Sequence, residues 1–304
     1  MPKYSLYRGI VFICAISLFI VVLLSSCKSN SSKDKSLAIG ESIKIDTLSF
    51  LIKYENSLFP LPSPYQAAFL IKKHNIPFDE RIVNRPENYQ RYTTTFKRAL
   101  NMGVYGTDLS YLNIYERTQQ SIQYLGVLKR AAEDLSITPA FSNDFFTAIQ
   151  RNIGGKDSLL LYLSRAYRKA DGYLRENDRS EIGTLILTGG WVESTYILTR
   201  LSNTTSNRDI INRIGQQKHP LNNIIEVLTP YYYKSDDFAK LTDMFIELAG
   251  EFDGIIYTYS YREPKVNIDN KIIIINSESR VTMSEFHLES ISKKLESIRN
   301  FIIE

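Results

Sequence analysis

Cysteine, histidine and tryptophan are scarce in this chain, at two, three and one residues. Cys14 lies inside an N-terminal apolar run and Cys27 just after it. If that run is removed and Cys27 is lipidated, no thiol remains for a disulfide, a metal site or nucleophilic catalysis. His74, His219 and His287 are far apart, with no His-x-x-x-His or Glu-x-x-His spacing, which argues against a transition-metal centre. No calcium loop rich in spaced aspartates is present. There is no Gly-x-Ser-x-Gly element, and Gly154-Gly155-Lys156 lacks the flanking strand and spaced first glycine of a phosphate loop. We therefore expect no cofactor, and an envelope hydrolase ranks below the non-enzymatic readings. Charge of one sign is lacking too, with 37 basic against 33 acidic residues. That balance gives no basis for nucleic-acid binding.

What the chain does have begins at its N-terminus. Lys3 and Arg8 precede an uncharged apolar run from Ile10 to Leu24, then Ser25, Ser26 and Cys27. The pattern is that of a secretion signal, and the run is shorter than the roughly 20 residues of a membrane-spanning helix. Leu24-Ser25-Ser26-Cys27 resembles the lipobox of bacterial lipoproteins. The resemblance implies cleavage before Cys27, with acyl groups such as palmitate on its sulfur and on the new amine. The competing reading is a simple cleaved signal or uncleaved anchor with a chance cysteine. Several acyl chains on one residue exceed what stable anchoring needs. Loss of Lys3 and Arg8 takes 37 basic residues to 35 against 33 acidic, a net of +2.

The expected organisation is a signal peptide over 1–26, a lipidated Cys27 with a flexible tether over 27–58, and a helical domain over 59–304. Lys28 to Ser36 is polar and aperiodic, as a tether would be. It has no acidic run after the cysteine and no Asp at the second mature position, which by resemblance to other bacterial lipoproteins implies the outer membrane, facing the periplasm. Ser63-Pro64 predicts a helix start, and Pro86-Glu87 opens another that should reach Leu100. Apolar spacing near 3.5 residues predicts one helix over Tyr105–Leu135, ~45 Å long. Shorter helices follow from Ser142 to Asn152, Asp157 to Asn177, Asp178 to Leu201, Asn207 to Gln217, Pro220 to Tyr232 and Ser235 to Asp253. Near 257–283 the composition turns strand-like, with Arg280-Val281-Thr282 placed to pair with Lys271–Asn276. Ser284 then caps a final helix with Phe286, Ile291, Leu295, Ile298 and Ile302 inward and Arg299 serving the helix dipole. The fold class is mainly α: an antiparallel helical bundle with a small C-terminal β-hairpin and a final helix.

Three features ask for more than packing. Gly189-Gly190-Trp191-Val192-Glu193-Ser194 puts two glycines inside a helix, at a cost of roughly 1 kcal/mol each. It also places Glu193 on the apolar face with Tyr196. Along the helix expected from Tyr105, Asp108 and Glu116 flank the apolar stripe in the same way. Asp108, Glu116, Glu193 and Tyr196 are thus candidates for an interior polar site holding a cation or small polar ligand. The plainer reading is a satisfied hydrogen-bond network, with the glycines permitting close helix approach. Thr107 or Asp108 could instead N-cap a helix that begins there. Met102-Gly103-Val104-Tyr105 and Gly189-Gly190-Trp191-Val192, roughly 87 residues apart, also hint at a duplication. Finally, Tyr231-Tyr232-Tyr233 and Tyr257, Tyr259 and Tyr261 cluster as either a contact surface or the wet rim of a core.

With Asn101 to Tyr111, Glu116-Arg117-Thr118-Gln119 and Gly189 to Ser194, the chain resembles a family of uncharacterised helical lipoproteins of the Bacteroidota over roughly Phe59 to the C-terminus. The resemblance implies a helical periplasmic domain on a lipid tether. It carries over no activity and no site residue. The functional expectation is therefore a lipid-anchored interaction or scaffold module, with the membrane and an envelope protein as partners. A ligand-binding or sensing bundle with its site near Asp108, Glu116 and Glu193 is the alternative.

Overall fold

Two long neutral stretches decide the architecture. Between Ala99 and Ile114 the only charged residue is Asp108, and between Ile182 and Thr199 the only one is Glu193. A helix so poor in charge on every side belongs inside a protein. In the computed structural model these stretches form the central helices, α1 (Thr95–Ile114) and α5 (Ser180–Thr205), which pack more closely on each other than any other pair of elements. The structure describes residues 50–54, 57–61, 70–71, 73–142, 144–205, 207–267, 272–274 and 277–304. All lie within the unit Ile45–Glu304. The signal, Cys27, the Lys28–Ser36 stretch and the helix start at Ser63-Pro64 fall outside the described residues.

Around the central pair stand α2 (Thr118–Asp134), α3 (Phe145–Arg151), α4 (Lys156–Glu176), α6 (Arg208–Gly215), α7 (Lys218–Leu228), α8 (Asp236–Phe252) and the final helix α9 (Glu285–Ile303). The mainly α class, the small C-terminal antiparallel sheet and the closing helix are as the sequence indicates. Side-chain caps hold the starts: Thr94 accepts from the Lys97 backbone N–H, Ser235 from Phe238 and Ser284 from His287. Each satisfies an amide that the helix itself leaves unpaired.

Several boundaries differ from expectation. Strands β1 (Phe50–Tyr54) and β2 (Ser57–Leu61) pair antiparallel, so ordered backbone begins inside the segment read as tether. Pro86–Arg91 is a 3-10 turn, and α1 starts only at Thr95, running through Thr107 and Asp108, which are therefore interior residues and not caps. The long helix expected from Tyr105 to Leu135 is broken after Ile114. Glu116 takes a left-handed conformation, φ 58°, and the Arg117 N–H reaches back to the Leu112 carbonyl at 3.0 Å. Ser136 and Asp178 end α2 and α4 the same way, at φ 55° each. The closure is the one that glycine usually supplies at a helix C-terminus. On α3 the N-cap position belongs to Asp144, not Ser142.

The strand pairing near the C-terminus also differs. Strand β3 (Ile256–Ser260) pairs with β6 (Glu278–Thr282), and β4 (Lys265–Asn267) with β5 (Ile272–Ile274). Arg280–Thr282 thus lies against Ile256–Thr258 and not against Lys271–Asn276. The two pairings continue one long arm, offset by one residue, and Ser277 bridges the offset through hydrogen bonds with the backbone of Arg262. At the base, Val281 packs on Gly215 and the Tyr257 hydroxyl donates to the Gly215 carbonyl at 2.7 Å. All five β3 residues are nonetheless exposed.

Candidate functional site

At the crossing of α1 and α5 the backbones touch. A Cβ on Gly103 would sit 1.9 Å from the Ile186 carbonyl oxygen, and one on Gly189 would sit 1.9 Å from that of Leu100. Both glycines are there because nothing larger fits. The two glycine motifs that resemble a duplication are thus the two faces of one contact.

One side of the crossing carries the two lone acids. Asp108 and Glu193 are both fully buried, and between them and the final helix lies Arg299, 6% exposed. Its Nε donates to Glu193 Oε2 at 2.7 Å and its Nη2 to Glu193 Oε1 at 2.8 Å, a two-pronged ion pair. The same Nη2 donates to the Ile82 carbonyl at 2.8 Å, and the guanidinium lies 4.2 Å from the centre of the Tyr196 ring. Burial works against the Arg299 charge, but the facing Glu193 carboxylate more than offsets it and raises the guanidinium pKa. Burial pushes the Asp108 carboxyl well above its ordinary range, and the neighbouring Glu193 adds to the effect; Arg299 and the Asn84 N–H pull the other way. The Asp108 Oδ2 accepts from the Asn84 N–H at 3.0 Å, whereas its buried Oδ1 meets no donor.

Asn84 extends the network. Its carbonyl accepts from the Tyr124 hydroxyl at 2.8 Å, and its side-chain amide donates to Tyr92 at 3.0 Å and Asn101 at 3.3 Å. Asn101 and Tyr92 in turn donate to the carbonyls of Ile302 and Ile303, and Lys97 to that of Phe301. Those carbonyls end α9 and have no partner within it. The cluster therefore fastens the last helix onto the bundle, and it is sealed from solvent.

Of the candidate residues, the structure brings Asp108, Glu193 and Tyr196 together. It does not bring Glu116, which is exposed at the turn between α1 and α2, near Phe78, Asp79 and Arg117. The break after Ile114 carries it away from the stripe it would share on one continuous helix. The space foreseen for a cation or polar ligand is filled by Arg299, assigned in the sequence reading to the helix dipole. Spacing held a signal for it, since Ile291, Leu295 and Arg299 recur at intervals of four on the buried face of α9. Phe286, expected inward, is 70% exposed. Among the described residues no group of three or more His, Cys, Asp or Glu is placed to hold a metal ion.

A second feature lies beside the glycine crossing. Leu125, Leu128, Ile149, Ile186 and Trp191 wall a cavity of ≈ 140 Å³ between α1, α2, α3, α4 and α5. Partly exposed Met102, Phe141, Phe146, Leu163 and Ala166 also line it and lead out to its mouth. Three of its four hydroxyls are committed elsewhere: Thr107 donates to the Gly190 carbonyl, Ser110 to that of Gly106 and Tyr167 to that of Gly183. Ser194 supplies the fourth. The lining is thus almost wholly apolar. No protein-family model, curated protein or solved structure matches the chain. Among the described residues, no helix is long and apolar enough to cross a membrane.

Proposed function

We propose that this is a lipid-anchored cell-envelope protein, acylated at Cys27 and facing the periplasm from the outer membrane, whose bundle is a non-enzymatic interaction module. The observation that carries the interaction role is the β-arm. Ile256, Tyr259, Tyr261 and Ile273 are 61–71% exposed along the arm, whose β3–β6 pair is fixed to the bundle at its base. Exposed apolar side chains beside open strand edges are what protein interfaces use, and tyrosine is enriched there. The partner would be an envelope protein that adds an extended segment to an arm edge. The anchor reading rests on the lipobox sequence.

A photo-crosslinking residue at Tyr259 or Tyr261, in cells, should yield one discrete adduct. The same residue at Tyr233, 96% exposed on the bundle, should not. Equal, diffuse labelling from all three positions would refute the arm as the contact surface. Cys27→Ser should move the protein out of the membrane fraction. Ligand binding, the second reading, is favoured by the apolar cavity and not by the carboxylate pair, which Arg299 occupies.

A further inference from the structure

The helix glycines of α1 and α5 are of two kinds. Gly103 and Gly189 are forced by backbone contact, but a Cβ on Gly106 would meet nothing within 4 Å. Gly106 nevertheless sits in mid-helix, where alanine would be favoured, and it lines the ≈ 140 Å³ cavity. Gly126 and Gly250 are equally open, yet they lie on the exposed surface. Gly172 is open too and partly exposed, but it does not line this cavity; of these four glycines Gly106, itself partly exposed, is the one whose missing side chain leaves space in the cavity wall.

That space has the size of an engineered apolar cavity, roughly 150 Å³, that stays dry and takes benzene. It thus holds a hydrocarbon segment on the order of six carbons. With three of four hydroxyls bonded inward, its walls offer a polar ligand little, so selection is for hydrocarbon. One wall residue has a cation beside it. Phe145 has the Lys169 ammonium 5.7 Å from its ring centre, and Lys169 is exposed. A solvated cation against the wall of an apolar cavity suits a chain whose tail enters and whose anionic head stays in water.

We infer that the cavity binds a single-chain anionic amphiphile of the fatty-acid type, tail toward Trp191 and carboxylate near Lys169. Trp191 is the only tryptophan in the sequence and lines the cavity, so its fluorescence reports on the site. The test uses the chain from Lys28 onward, without signal or lipid, since every described element lies beyond it. Titration with 12-bromododecanoate should quench Trp191 saturably, whereas 2-bromododecanoate, with bromine at the head, should quench several-fold less. Gly106→Leu, which fills the space, should melt no lower than the wild type and lose at least tenfold in affinity. Gly106→Ala, a smaller addition, keeps the test open if the leucine variant misfolds, and should weaken binding measurably. Lys169→Glu should weaken dodecanoate binding several-fold and leave benzene binding unchanged. Absence of saturable quenching, equal quenching by the two bromo acids, or undiminished binding in a folded Gly106 variant would each overturn the assignment. So would quenching by vesicles of brominated phosphatidylglycerol with none by the free acid.

Discussion

The centre of the bundle and the β-arm are built from similar side chains put to opposite uses. At the centre, Tyr92, Tyr105 and Tyr124 are buried and each hydroxyl donates to a backbone carbonyl, two of them on the Asn84–Arg85 turn and one on α9. On the arm, Tyr259 and Tyr261 stand 68% and 71% exposed. Only Tyr257, at the arm's base, behaves like the central set. It bonds to Gly215, and burial pushes its phenol up to about 12. The tyrosine hydroxyls at the centre are bonded to backbone carbonyls and so help to specify the fold. On the arm the Tyr259 and Tyr261 rings stay exposed after folding, where a partner can reach them.

The largest effect should come from removing the cation at the centre. Arg299→Met leaves Glu193 buried without its ion-pair partner, which costs about 3–5 kcal/mol in comparable pairs. Denaturant titration should show that loss, and hydrogen exchange should show α9 released first. Adding Glu193→Gln should recover part of it, because no unpaired charge then remains. A loss below about 1 kcal/mol in Arg299→Met, the level of a surface pair, would mean that this cluster does not fasten the last helix. Next comes Gly189→Ala. The new methyl meets the Leu100 carbonyl oxygen at 1.9 Å, so α1 and α5 must separate. Overpacking of this kind costs about 1–3 kcal/mol, and a matching drop in thermal stability is expected.

Asp108→Asn sharpens the comparison through pH. Burial raises the folded-state pKa of Asp108 above the ordinary value of 3.8. The stability this contributes is present in full below that pH and lost as pH rises toward the raised folded value. The limiting slope is about 1.4 kcal/mol per pH unit. Asparagine can still accept from the Asn84 N–H, and it has no proton to lose. The variant should therefore gain on the wild type as pH rises from about 4, by paired denaturation curves. A difference that stays constant with pH would mean that Asp108 is ionised in the fold.

Much of this was legible in the residues. The helix carrying Glu193 was legible, as was the close approach that its Gly189 and Gly190 permit, whereas Thr95–Ile114 was divided between a helix ending at Leu100 and one beginning at Tyr105. The short caps at Ser235 and Ser284 and the apolar stripes of α4, α8 and α9 place those helices to within a few residues. The break after Ile114 was not legible, because Glu116 takes a backbone conformation that composition assigns to glycine. That one turn also misplaced a site residue, since it separates Glu116 from Asp108. Arg299 was misread for another reason. A cation near a helix C-terminus has a ready explanation on the surface, and only the acid facing it from α5 shows that it is buried. The cavity could not be read at all, as empty volume belongs to the packing of five helices and to no single segment.

The smallest expected effect is on the arm, and it tests the division most directly. Tyr259→Ser with Tyr261→Ser removes two exposed rings that no described hydrogen bond ties to the bundle, so stability should change by no more than about 0.5 kcal/mol. The crosslinked adduct expected from the arm, read at Ile273 in this variant, should nonetheless weaken or vanish. A large stability loss would mean that the rings pack on something within the chain, and the arm would then belong with the core. Unchanged stability with an undiminished adduct would leave the edges of the strands, and not the tyrosines, as the part that a partner reads.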